Sequence, residues 1–205
     1  MASTQPPNKV LGSKYFSPSF KIGINANRFS NDSKSYDEFS YPLGYLVGLS
    51  NETKISNQVY ISNSLYYKCK QSKSHADVLS GGGGIDYKYT SKYIRFSNIF
   101  GFKIINIADL LIGYDIGKML TVDIDIKEVR NKYEKFEKNH PKFDSALCFG
   151  LGKDLIIRNH EYKIELKYLY GLSEYKYHCD LGTLPHPVRH HGLHIELGYP
   201  IFNNK

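Results

Sequence analysis

The chain has 205 residues, a length that suits one domain, and 41% of them are apolar, which excludes a disordered polymer. Its 18 Tyr and 11 Phe, with no Trp, fall with Val and Ile in short runs divided by Gly, Asn and Ser, a composition that favours strands. The net charge of +7 does not mark a nucleic-acid binder, because Lys and Arg are spread along the chain and interleaved with acids, as in Lys127 to Lys138.

The start, Met1-Ala2-Ser3-Thr4-Gln5-Pro6-Pro7, has neither the basic opening nor the apolar core of a signal peptide. The expectation is an exported chain whose native leader has been replaced by a start codon, with residues 1–18 forming a flexible periplasmic tail, 19–202 a barrel and 203–205 a short C-terminal tail. No run approaches the roughly 18 consecutive apolar residues of a membrane helix, a test that cannot see a β-barrel because its two faces alternate.

From Phe20 the chain alternates with period two, so odd and even positions take opposite faces of a strand. The first run sets Phe20, Ile22, Ile24 and Ala26 against Lys21, Gly23, Asn25 and Asn27. A polar loop, Ser30 to Ser40, leads to a second run in which Tyr45, Val47 and Leu49 oppose Gly44, Leu46, Gly48, Ser50 and Glu52. After a short connection, Thr53 to Asn57, the third sets Val59, Ile61, Leu65 and Tyr67 against Tyr60, Ser62, Ser64, Tyr66, Lys68 and Lys70. Gln71 to Gly84 reads as a flexible Ser-Gly loop.

The fourth run, Tyr87 to Lys103, opposes Ile94, Phe96, Phe100 and Phe102 to Arg95, Ser97 and Gly101, and the fifth opposes Leu110, Ile112, Tyr114 and Ile116 to Gly113, Asp115 and Gly117. A charged loop, Asp125 to Lys142, with room for a short helix, follows. The sixth run sets Leu147, Phe149 and Leu151 against Ala146, Cys148, Gly150 and Gly152, and the seventh sets Tyr162, Ile164, Leu166, Tyr168 and Tyr170 against Lys163, Glu165, Lys167 and Gly171. Beyond a loop from Lys176 to His191, the last opposes Leu193, Ile195, Leu197 and Tyr199 to His194, Glu196 and Gly198.

Connections are long after runs one, three, five and seven and short after two, four and six. That order predicts an all-β, eight-stranded antiparallel up-and-down transmembrane β-barrel, closed so that no strand edge is left bare. Alternation alone does not say which face is inside. A soluble lipocalin-like barrel binding a small ligand would turn its apolar face inward, and a membrane barrel would turn it to lipid. The polar face favours the second reading, since it is built of small residues and a balanced ionic set suited to a narrow lumen. The expected lumen network is Arg95, Asp115, Glu165, Lys167, His194 and Glu196. The expected lipid-facing residues are Ile22, Ile24, Val47, Leu49, Ile112, Tyr114, Leu147, Phe149, Ile164, Leu166, Tyr168, Leu193, Ile195 and Leu197. Aromatics expected near strand ends, Tyr45, Tyr67, Tyr114, Phe149, Tyr162, Tyr170 and Tyr199, would form interfacial girdles.

In order along the chain, KIGINANRFSND, YPLGYLVGLSNE, LYYKCKQ, IGYDIGKML, FDSALCFGLGKDL, YKIELKYLYGLSEY and HIELGYPIF resemble successive strands of the Bacteroidota outer-membrane β-barrel family that includes PorT-like proteins. The resemblance runs from about Lys21 to Phe202 and implies an outer-membrane location, contact with the lipid bilayer and lipopolysaccharide, insertion by the barrel-assembly machinery and protein partners in the outer membrane. For PorT-like members it implies a role in type IX secretion. It also implies a closing strand with a terminal aromatic, here Gly198-Tyr199 and Phe202. The chain departs from the pattern at Pro200, which lacks a ladder N–H and predicts that the strand ends at Tyr199.

Candidate chemistry is sparse. His178, Cys179, Asp180, His186, His190, His191, His194 and Glu196 include metal-ligating types, but most fall in a Pro-containing loop with no spacing that aims them together, so no metal or cofactor is expected. His194 and Glu196 would face the lumen, whereas outer-membrane barrels that trim lipid A set a His, a Ser and an acid toward lipid. Gly81 to Gly84 lacks the GK[ST] of a phosphate loop, and GxSxG and HExxH are absent, so no enzymatic activity is expected, and the barrel is expected to serve as a membrane scaffold, a partner in a surface or secretion complex, or a narrow pore. Cys69, Cys148 and Cys179 fit no metal spacing, and a Cys69–Cys179 bridge stays open.

Overall fold

The computed structural model describes residues 16–30, 42–77, 84–104, 107–126, 142–158, 160–175, 178–179, 182–183 and 188–201. The strands are β1 (Phe16–Ser30), β2 (Leu43–Lys54), β3 (Val59–Asp77), β4 (Gly84–Ile104), β5 (Ala108–Ile126), β6 (Phe143–Ile157), β7 (His160–Tyr175), β8 (His178–Cys179), β9 (Gly182–Thr183) and β10 (Val188–Pro200). Eight of them close into one antiparallel barrel in the order β1-β10-β7-β6-β5-β4-β3-β2, while β8 and β9 pair as a separate small hairpin. The up-and-down barrel expected from the alternation is the fold observed.

Closure is made by β1 and β10, paired from Ser19↔Pro200 to Ser30↔Arg189. Because both edges of the sheet are consumed in that seam, no edge is left to template aggregation along it. The turns at 55–58, Ile107 and Arg158 lie at one end of the barrel, and the strand ends Ser30, Asp77, Ile126 and Tyr175 lie at the opposite end. Arg158 takes a φ of 49°, the left-handed conformation that a tight hairpin turn demands.

Several boundaries differ from the sequence reading. β1 begins at Phe16, inside the stretch assigned to the tail, and pairs with β2 from Phe16↔Thr53 onward. Gln71 to Asp77 and Gly84 belong to β3 and β4, which run in register from Val59↔Phe102 to Asp77↔Gly84 instead of parting into a loop. The run Gln71 to Asp77 is polar at nearly every position, so no apolar alternation marks it as strand. β5 likewise continues to Ile126, and residues 127–141, where a short helix was considered, lie outside the described residues. The loop assigned to Lys176–His191 contains the β8–β9 hairpin and the start of β10.

Pro200 does not end the last strand at Tyr199. It pairs with Ser19, and the next residue, Ile201, donates its N–H to Pro18 O at 2.9 Å. Alternate residues of a strand aim their N–H groups at opposite neighbours. The proline therefore aims its missing donor toward β7, whose pairing with β10 has already stopped at Gly198↔Lys163, and no ladder bond is lost. Phe202 lies outside the described residues.

Candidate functional site

The inward face carries polar and ionic groups that are almost wholly removed from solvent: Lys21, Lys68, Lys70, Arg95, Asp115, Asp144, Glu165, Lys167, His194 and Glu196 are each at most 5% exposed. The period-two pleat puts them there. Lys21 follows the parity of Asn25 on β1, Lys68 and Lys70 that of Tyr66 on β3, and Asp144 that of Ala146 on β6.

These groups form two clusters, where the sequence reading expected a single network. In the first, Lys167 Nζ lies 2.7 Å from both Glu165 Oε2 and Glu196 Oε2, and Lys21 Nζ lies 2.7 Å and 3.3 Å from the same two oxygens. Two ammonium groups and two carboxylates thus alternate in a closed ring contributed by β1, β7 and β10. His194 extends it: its Nδ1 is 3.3 Å from Glu196 Oε1 and its Nε2 is 2.6 Å from Lys68 Nζ. With Lys68 donating to Nε2, the imidazole takes the tautomer that donates from Nδ1 to the carboxylate. Lys68 makes no ion pair among the described residues.

In the second cluster Arg95 is gripped by two carboxylates. Its Nε donates to Asp115 and its Nη1 to Asp144 at 2.6 Å, while Tyr66 donates to Asp115 and Lys70 to Asp144. Lys70 Nζ sits 4.8 Å from the centre of the Tyr93 ring and the Arg95 guanidinium 5.4 Å, so a fully buried aromatic face backs both cations. A buried charge left unpaired would cost several kcal/mol (about 3–5 when one partner of a pair is removed), so the clusters hold because nearly every member has an opposite charge.

Toward the short-turn end, Lys163 Nζ meets Glu52 Oε1 at 2.5 Å and Asp109 Oδ2 at 3.4 Å and lies 3.9 Å over the Tyr60 ring, while Tyr60 donates to Asp109 at 2.8 Å. Lys103 closes this end on Asp154 at 3.0 Å. A small apolar cluster, Tyr60, Ile99, Leu111, Ala146, Cys148 and Leu169, fills the wall between the ionic groups. The cavity bordered by Lys68, Lys70, Arg95, Asp144 and His190 measures about 10 Å³, the room of about one water. A larger recess of about 420 Å³ opens at the short-turn end beside Lys103, Asp109 and Asp154.

All six polar residues singled out from sequence point inward. Lys21, Lys68, Lys70 and Asp144 were missed as members, although the first three stand on the polar side of the alternation; their partners come from distant strands, which periodicity does not report. Ile22, Ile24, Val47, Leu49, Ile112, Tyr114, Leu147, Phe149, Ile164, Leu166, Tyr168, Leu193 and Ile195 point outward and are exposed, and Leu197, on the same face, is half-buried. The interior thus offers paired charges where a lipocalin-like barrel needs an apolar ligand cavity.

Aromatic rings gather near both ends of the outer wall, Tyr45 with Tyr67 at 6.1 Å and Tyr162 with Tyr199 at 5.4 Å. Tyr114 and Phe149 instead stand well inside β5 and β6. His190 and His191 are strand residues: the first is buried, and the second packs outside against Tyr170 at 4.8 Å. No group of three or more His, Cys, Asp or Glu with metal-binding geometry occurs among the described residues. Cys69 is a free buried thiol, so the Cys69–Cys179 bridge is not formed.

Neither a protein-family model nor a curated protein matches the sequence. Among solved structures, the chain is similar to Ail, the attachment invasion locus protein of Yersinia pestis, in complex with the heparin analogue sucrose octasulfate, at 16% identity over 91% of this chain and 99% of that chain, with a TM-score of 0.42. It is similar to the outer membrane protein OprG from Pseudomonas aeruginosa at 11% identity over 92% and 95%, TM-score 0.49, and to Neisserial surface protein A at 12% identity over 90% and 97%, TM-score 0.44.

Proposed function

We propose that this chain is a transmembrane barrel of the outer membrane, held in lipid by its apolar wall and closed to solutes by its ionic lumen, and that it serves as a scaffold for its long-connection end without catalytic activity. The observation that carries this reading is the inversion of polarity. Charges lie inside, and Phe20, Ile22, Ile24, Phe96, Phe100, Leu166 and their neighbours lie exposed outside, an arrangement water would penalise and lipid rewards.

The dimensions agree. At about 3.4 Å per residue and about 40° of tilt, the outward row Tyr162 to Leu172 on β7 spans ~26 Å, against the ~25 Å apolar band of outer-membrane barrels. Lys118 and Lys142 are exposed where β5 leaves that band, at the end suited to anionic lipopolysaccharide. The finer assignments, recognition by the barrel-assembly machinery and a place in a surface or type IX secretion complex, rest on the resemblance of the strand segments to those of PorT-like barrels.

The deciding experiment is refolding from urea with and without detergent, followed by gel electrophoresis of unheated and boiled samples. A membrane barrel needs the detergent and migrates differently once boiled. A chain that stays dispersed and folded in plain buffer overturns the reading.

A further inference from the structure

The apolar wall is interrupted on one side. On the outer face of β2, β3 and β4, Asn51, Asn63 and Asn98 stand in register as Asn51↔Asn63 and Asn63↔Asn98, one transverse row of carboxamides. The next outward row on the long-connection side is Leu49, Leu65 and Phe96; on the other side it is Thr53, Ile61 and Phe100. Asn63 and Asn98 are therefore enclosed by apolar residues on both sides, and Asn51 stands beside Thr53 near the end of β2.

Each carboxamide offers two donors and a carbonyl with two lone pairs. Asn98 Nδ2 donates to Asn63 Oδ1 at 2.6 Å and Asn51 Nδ2 to Thr53 Oγ1 at 3.3 Å, which leaves the Asn63 Nδ2 donors and the Asn98 Oδ1 acceptor, on half-buried side chains of the outer face, to meet a partner, while Asn51 Oδ1 is turned away from the surface. Lipid tails supply neither donor nor acceptor, so spare amide groups there favour any partner that does.

We infer that this row is a docking surface for a second copy of the same chain, an inference that rests on the membrane reading above. Two features select a copy over another partner. A carboxamide is self-complementary, donor to acceptor in both directions, as an isologous two-fold contact requires. Two copies inserted with the same orientation also bring their rows to the same depth without adjustment. The bulky residues around the row, Leu49, Leu65, Phe96 and Phe100, would pack about the polar seam.

The test uses the full chain in density-matched detergent micelles, with association followed by sedimentation equilibrium. The wild type should dimerise, and Asn63→Leu with Asn98→Leu should raise the dimer Kd at least about tenfold, which is about 1.4 kcal/mol, with boiled and unheated gel mobilities unchanged. In liposomes, with Cys69, Cys148 and Cys179 replaced by Ser, Asn63→Cys should cross-link to a dimer under oxidation, while Leu166→Cys on the opposite wall should not. This second arm stands even if the double variant fails to fold. A wild type that is heat-modifiable and detergent-dependent yet monomeric, or equal cross-linking at both cysteines, overturns the docking surface and leaves the membrane reading intact. A chain soluble without detergent removes both.

Discussion

Lys167 is the residue on which the first ionic cluster turns, because Glu165 and Glu196 both reach it at 2.7 Å. Lys167→Met leaves two buried carboxylates sharing Lys21 alone, and a loss of about 3–5 kcal/mol is expected in urea titrations of the liposome-folded protein. Lys68→Met leaves one buried imidazole nitrogen without its hydrogen bond but also removes a buried amine that makes no ion pair, so the two effects oppose and a shift much smaller than that of Lys167→Met is expected. Equal midpoints for the two variants would show that ion pairing does not hold this tier together. A different test concerns packing. The Tyr60 ring lies against Gly101 so closely that a Cβ there would collide with it, whereas a Cβ on Gly152 would meet nothing nearer than 3.5 Å. Gly101→Ala should displace Tyr60 from Asp109 and Lys163 and lower stability; Gly152→Ala should be near neutral. Denaturation curves of the two, measured side by side, check the contrast.

Within the strands, every second residue answers to a different solvent. Leu166 on β7 is flanked outward by Ile164 and Tyr168, both exposed. Leu166→Arg should weaken folding into bilayers by about 2–4 kcal/mol if it sits near the midplane. Normal folding in lipid by that variant would count against the assignment of the outer wall to lipid. The connections supply a second check on the same geometry. An epitope inserted at Asn57, in the short turn between β2 and β3, should stay hidden from antibody on intact cells, and one inserted at Lys142, at the opposite end, should be stained. The reverse pattern would overturn the assigned orientation.

For the molecule as a whole, an eight-stranded barrel leaves an interior just wide enough for side chains, and here ionic clusters occupy it. Planar bilayers containing the purified protein should accordingly show little or no steady conductance. A large, stable, ion-selective current would replace the scaffold reading with a pore. The strands β3, β4 and β5 also extend past the starts of β2 and β6 on the long-connection side, where they stay paired as a three-stranded sheet out to Asp77↔Gly84 and Tyr87↔Ile126. On the scaffold reading proposed above, that extension is what the long-connection end presents.

The amino-acid sequence by itself established the eight alternating segments, the sense of each face and the long–short order of connections. Those are local properties: a strand's pleat assigns residues to faces whatever lies across from them. Ion-pair membership was beyond its reach. Lys21 meets Glu165 across 144 residues, and that meeting depends on barrel closure and shear, which no single strand encodes. Strand ends such as Gln71–Asp77 and Val188–His191 read as loop for a related reason: nearly every residue there is polar, so no apolar alternation marks them. The row of Asn51, Asn63 and Asn98 is the sharpest case. Each alone is an unremarked polar residue among apolar ones, and only the register of β2, β3 and β4, set by backbone hydrogen bonding between distant segments, aligns them into a surface.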